Sequence, residues 1–224
     1  VQHLLNHRWD ISPAEAIRIQ NELRKMVLLS DSFNTIHTVA GIDVGFDRAS
    51  NTGRAAIVVL DLHDLGIIDS TFAELPLKFP YIPGLLSFRE MPVILQAFTQ
   101  LTILPDLLLC DGQGVAHPRR LGIACHLGLL TDIPAIGVAK TRLTGTHDTV
   151  PARKGYWTEL KDKEEIIGAV LRSREKVKPI YISPGHRISL ESAIYYVMKT
   201  ITRYKLPETT RAAHALSLFN NTGK

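Results

Sequence analysis

Three acids interrupt apolar stretches of this chain. Asp43 lies inside "AGIDVGF", Asp111 closes "DLLLCDG", and Glu90 opens the helical pattern of "FREMPVILQAFTQL". Asp111 could shape an Asx turn, and Glu90 could favour a helix N-terminus. Asp43 is harder to explain that way, because an ionised group in a central strand is costly unless paired or bound to a metal. If Asp43 sits on one strand and Asp111 at the C-terminal end of a parallel neighbour, their side chains converge at one sheet edge. Carboxylates gathered there repel each other until a divalent cation binds. Hard oxygen ligands with no cysteine cluster favour Mg²⁺ or Mn²⁺ over structural zinc. Such a site suits phosphoryl chemistry, in which metals orient the phosphate and activate water.

"DGQGVAHPRRLG" continues from Asp111. Gly112 and Gly114 let backbone approach a ligand closely, and His117, Arg119 and Arg120 bring polar and positive groups to the start of the next predicted helix. "GVAKTRL" delivers Lys140 and Arg142 at the end of the following predicted strand, on the same sheet edge. A further stretch, "FPYIPGLLSFRE", sets Tyr81 and Ile82 between Pro80 and Pro83. Proline gives no N–H to a sheet and biases its predecessor towards extended conformations, so these residues belong to a stiff loop. An aromatic ring is thus held a few residues before Arg89 and Glu90.

The elements that must carry these groups can be read from periodicity. Ser12, Pro13 and Glu15 form a capping box for a helix over about 13–29, with Ile19, Leu23 and Met26 on one face. "HTVAGIDVGF", "RAAIVVLDL" and "GIIDSTFAEL" are β-branched runs separated by turns, which predicts an antiparallel meander. After the tyrosine loop come a helix ("FREMPVILQAFTQL"), a buried strand ("PDLLLCDG"), a helix ("RRLGIACHLGLL") and a buried strand ("PAIGVAK"). This alternation implies a parallel half. "EEIIGAVLRS" and "KPIYIS" pair as later strands, and "SLESAIYYVMKTITRY" and "ETTRAAHALSLF" close the chain as helices. In the last, Ala212, Ala213 and Ala215 are small enough to bring the backbone around His214 close to the sheet. With no repeat or linker, the expectation is one α/β domain over 1–224, a mixed sheet with helices on its faces.

The 224 residues can bury a sizeable core, and 45% hydrophobic with 21% charged residues marks a folded protein. A net charge of +4 is compatible with a polyanionic partner. Cys110 and Cys125 form neither a disulfide framework nor a zinc-binding pair, which suits a reducing, cytoplasmic setting. "VQHLLNHRWD" lacks the basic start and apolar core of a signal peptide, and no apolar run approaches a membrane span. The first residue is not Met, as expected of a trimmed or processed chain.

Taken together, "GIDVGF", "PYIPGLLSFRE", "DGQGVAHPRRLGIACHLGLL", "IGVAKTRL", "SPGHRISLESA" and "RAAHA" resemble the endonuclease V family, in family order over most of the chain. The resemblance implies a ribonuclease H-like fold and a Mg²⁺-dependent repair endonuclease, with Mn²⁺ able to substitute. Its substrate would be deoxyinosine DNA, double- or single-stranded, cut at the second phosphodiester bond 3′ to the lesion to leave 3′-OH and 5′-phosphate. By position, Asp43, Glu90, Asp111 and His214 correspond to the metal centre, and Lys140 to a lysine near the scissile phosphate. Tyr81, on the loop with Pro80, Ile82 and Pro83, corresponds to a strand-separating wedge. Gly84, Leu85, Leu86, Gly112 and Gly114 correspond to a tight base pocket, and His117 and Arg119 join Lys140 as DNA contacts. Gln113 stands where bacterial relatives often have His, so adjusted loop contacts are expected there. Three alternatives remain: an inosine-specific ribonuclease on single-stranded RNA, a protein that only binds nucleic acid, and a small-molecule phosphotransferase. A monomer without membrane association is expected.

Overall fold

Alternation along the strands builds two cores, one on each side of a single sheet. The computed structural model describes residues 7–218. The expected meander is present: β1 (Thr38–Asp47) pairs antiparallel with β2 (Thr52–Asp61), and β2 with β3 (Ile67–Pro76). On its other side β1 runs parallel to β4 (Leu107–Asp111), and β4 parallel to β5 (Ala135–Ala139). Strands β6 (Trp157–Asp162), β7 (Glu165–Leu171) and β8 (Ile180–His186) form antiparallel ladders, with β8 against β5. The result is an eight-stranded mixed sheet of order β3-β2-β1-β4-β5-β8-β7-β6, the ribonuclease H-like arrangement expected from the sequence.

Two consecutive residues of a strand face opposite sides. Ala40 and Ile42 of β1 and Leu108 and Cys110 of β4 pack against α2 (Leu86–Phe98) and α3 (Ile123–Thr131). Val39, Leu107 and Leu109 pack on the other side with α4 (Leu190–Lys199) and α5 (Glu208–Ser217). By the same parity Asp43 and Asp111 belong to the α5 side. Helix α5 lies very close to β1, because a Cβ on Gly41 would stand 2.0 Å from the Thr209 carbonyl and one on Gly45 2.2 Å from that of Ser217.

Several boundaries differ from expectation. Helix α1 (Pro13–Leu23) has its Ser12 cap, but gives way to a 3₁₀ turn at Arg24–Met26. The predicted continuation to residue 29 fails because Leu28 is drawn into an extended contact with the end of β8. Its N–H donates to His186 Nδ1, and its carbonyl accepts from the Arg187 N–H. Helix α3 starts at Ile123, four residues after the sequence pattern suggests, because Arg119 and Arg120 are engaged in the preceding loop. Strand β6 was not foreseen at all. It is a polar, largely exposed edge strand without an alternating apolar face. Among the described residues, no helix is long and apolar enough to cross a membrane.

Candidate active site

The parallel pairing of β1 with β4, and of β4 with β5, brings their C-terminal ends to one edge, with Val138 opposite Asp111. There Lys140 Nζ donates to Asp111 Oδ2 at 2.5 Å. On the next strand Asp43 Oδ2 accepts from His214 Nδ1 at 2.9 Å and from Ser217 Oγ at 2.6 Å. Glu90, in the first turns of α2, approaches from the opposite face. Burial, then Asp43, then Asp111 push its carboxyl up to about 8, with Arg89 opposing. Burial also raises the Asp111 carboxyl, against the pull of Lys140. The sequence-predicted set of Asp43, Glu90, Asp111, Lys140 and His214 is thereby gathered at one place. Ser217 is a member the sequence reading missed. Its signal is its position one helical turn after His214, on the same face of α5.

The donor set suits a hard divalent cation: carboxylate oxygens from separate elements, close enough to oppose one another's ionisation. Among the described residues, no three His, Cys, Asp or Glu side chains form a ready-made metal cage. Instead His214, Ser217 and Lys140 occupy one oxygen of each aspartate.

Beside the acids is a cavity of about 350 Å³ lined by Gly84, Leu86, Gly112, Gln113, Ile123, Lys140 and other residues, with Glu90 and Asp111 at its margin. Gly84 has φ +80, a left-handed conformation that disfavours side chains. Its carbonyl accepts from Gln20 Nε2 at 3.0 Å, His117 Nε2 at 3.1 Å and Arg119 Nη2 at 2.7 Å.

His117 and Arg119, expected as DNA contacts, both donate to this carbonyl beside the cavity, and His117 is only 4% exposed. His117 Nδ1 accepts the Arg119 N–H, so Nε2 carries the proton donated to Gly84. That neutral tautomer agrees with a pKa lowered to about 4, by burial first and Arg119 next. Arg120 pairs with Asp162 and Glu165 on the β6–β7 hairpin, away from the acids. Two expected pocket residues also stand elsewhere. Leu85 packs in the core with Phe79 and Phe88, and Gly114 lies against the Pro184 carbonyl. Gln113 is 9% exposed; Nε2 donates to the Thr141 carbonyl at 3.0 Å, tying the β4–α3 loop to the loop bearing Lys140.

The proline loop is anchored at both ends. Phe79 is buried, its carbonyl accepts from Arg89 Nη1 at 2.5 Å, and Ile82 packs partly into the core. Between them Tyr81 is 68% exposed. Pro80 is exposed, and Pro83 lines the cavity with Tyr81.

The endonuclease V family model matches residues 21–215. The chain belongs to the endonuclease V family. Endonuclease V of Rippkaea orientalis is 57% identical over 203 residues, covering 91% of this chain and 89% of its own. The crystal structure of endonuclease V from Streptomyces avermitilis superposes with a TM-score of 0.89 at 40% identity, covering 93% of this chain and 92% of that one. Endonuclease V of Ciona intestinalis, crystallised with DNA containing an inosine followed by a ribo-adenosine, gives a TM-score of 0.78 at 27% identity, covering 92% and 97%. As a member of this family, the chain is a nuclease.

Proposed function

We propose that this endonuclease V recognises deoxyinosine in DNA and hydrolyses the second phosphodiester bond 3′ to it, leaving 3′-OH and 5′-phosphate. The observation that carries this reading is the juxtaposition of a cavity with Asp111, Glu90 and Lys140, beside an exposed tyrosine on an anchored loop. A base inside a duplex must leave the stack to be inspected, at a cost of a few kcal/mol. Tyr81 stacks in the gap, and the stiffness of its loop limits the ordering entropy lost on insertion. Hypoxanthine is guanine without its 2-amino group. A wall whose Gly84 carbonyl is already held by three donors cannot yield to that extra group, so guanine is rejected.

Asp43, Asp111, Glu90 and His214 would hold Mg²⁺, or Mn²⁺ in its place. When bound, the ion supplies Lewis acidity at the phosphate and eases ionisation of water. Lys140 moves its ammonium from Asp111 to the phosphate as the strand arrives, and Ser217 and His214 keep Asp43 oriented.

The test is a nicking assay on inosine oligonucleotides with and without Mg²⁺. Asp43→Ala and Asp111→Ala should abolish cleavage while retaining DNA binding, since losing an anionic group reduces repulsion of phosphate. Near-normal nicking by Asp43→Ala in Mg²⁺ would sink the assignment. A second reading, action on inosine RNA, gains support from the ribo-adenosine after inosine in the Ciona intestinalis complex. Single-stranded inosine DNA and RNA tested side by side decide between the two.

A further inference from the structure

Lys140 is not the last cation on this edge. Strands β5 and β8 are antiparallel, with Ala139 opposite Tyr181. The residues that follow β5 and those that precede β8 therefore share one edge, which places Lys178 on the same edge as Lys140. The loop before α5 closes on the same corner. Ser173 Oγ donates to the Lys205 carbonyl at 2.6 Å, and Arg174 Nη1 to the Thr202 carbonyl at 3.0 Å. Lys205 is half-buried there, and burial, then Lys178, then Lys140 hold its pKa below the ordinary lysine range.

Charge at this corner is unbalanced. Asp111 neutralises Lys140, whereas among the described residues no ion pair joins Lys178 or Lys205 to an acid. Glu208, close to Lys205 in sequence, has its carboxylate on Arg211 at 2.6 Å. Like charges held together by the fold are relieved by an anionic ligand.

The layout says which ligand. The base cavity opens between α2 and α3, on one face of the sheet. Asp43, His214 and the loop carrying Lys205 are on the other. A strand whose base fills the cavity and whose phosphate reaches Asp111 must cross the sheet edge from face to face. Its next phosphates then meet Lys178 and Lys205. We propose that these two lysines clamp the substrate strand on the 3′ side of the cut, holding the phosphates of the downstream product. The proposal rests on the reading above that the cut is made 3′ to the recognised base.

Inosine oligonucleotides with a common 5′ flank, ending either one nucleotide past the cut or well beyond it, separate this contact from the rest. The wild-type protein should bind the long-flank strand roughly tenfold more tightly, with a steeper salt dependence. The Lys178→Gln/Lys205→Gln variant should lose that preference and lower the salt slope by about 1.4, the value for two single-strand phosphate contacts. Lys178→Arg/Lys205→Arg should keep both. In Mg²⁺ the Gln variant should raise KM on the long-flank substrate alone, with kcat at saturation unchanged. A Gln variant that keeps the flank preference, or that raises KM equally on both substrates, overturns the clamp. Repeating the binding with adenine in place of hypoxanthine keeps the two readings apart. A protein with no inosine preference overturns the proposed function, and the flank effect still decides the clamp.

Discussion

Glu90 keeps its proton up to about pH 8 because burial, Asp43 and Asp111 all oppose its charge. In the unfolded chain the same carboxyl ionises near 4.5. Between those values the folded state binds the extra proton, so stability falls as pH rises. His126 and His117, buried and lowered to about 3 and about 4, act in the opposite sense: their contribution rises with pH until the unfolded histidines lose their protons near 6.5. Glu90 thus opposes these histidines, and replacing it separates its contribution from theirs. In chelator, the stability of the metal-free wild type relative to Glu90→Gln should fall by roughly 1.5 kcal/mol between about pH 6.5 and 8. Urea unfolding of both proteins at the two pH values measures that difference, and a difference that stays constant or grows refutes the clustering of the three acids. At this scale the sequence showed where charge was out of place, as with Asp43 inside an apolar strand. It did not show which polar groups were already spoken for. His117 and Arg119 stand beside a glycine-rich turn in the sequence, and only the structure shows that both also donate to the Gly84 carbonyl, distant in sequence.

Helix α5 and the proline loop are the two elements that set the site's geometry. Because a Cβ on Gly45 would meet the Ser217 carbonyl at 2.2 Å, Gly45→Ala must push the end of α5 away from β1. We expect a loss of about 1–3 kcal/mol, the usual cost of overpacking. Nicking should fall further than the folded fraction does, since His214 and Ser217 move off Asp43; equal losses in Tm and activity would place α5 outside the catalytic machinery. The small residues around His214 foretold this close approach, but the glycines of β1 that complete it were read only as strand residues. The loop behaves differently. With its ring in solvent, Tyr81→Ala should leave Tm unchanged and weaken binding to lesion DNA by roughly 1–3 kcal/mol, the scale of base–aromatic stacking. A variant that unfolds readily and binds normally would make Tyr81 a packing residue. Elements with a clear apolar period were legible in the sequence. Strand β6 was not, because an exposed edge strand needs no apolar alternation, and α1 stopped early through tertiary bonds to β8 that no local pattern encodes.

Across the molecule, the acidic centre draws on β1, α2, β4 and α5, so its residues span the chain from Asp43 to His214. In the metal-free protein these elements are held at the centre by Lys140 and by His214 and Ser217, while burial and the charges of Asp43 and Asp111 keep Glu90 protonated. Asp43, Glu90, Asp111 and His214, on two strands and two helices from both faces of the sheet, would hold a divalent ion whose charge would offset the repulsion among the acids. It can do so only in the folded state, so binding is also stabilisation. At about a hundredfold excess over its Kd, Mg²⁺ should add roughly 2.7 kcal/mol, read as a rise in Tm that grows with concentration. Asp43→Asn and Asp111→Asn should show the reverse pair of effects. Without metal each should be more stable than the wild type, because one repulsive charge has gone. With Mg²⁺ each should gain little, because a ligand has gone with it. Calorimetric scans with chelator and with Mg²⁺ measure all four quantities. A wild-type Tm that ignores Mg²⁺, or asparagine variants that respond to it as the wild type does, would mean that these acids do not share an ion.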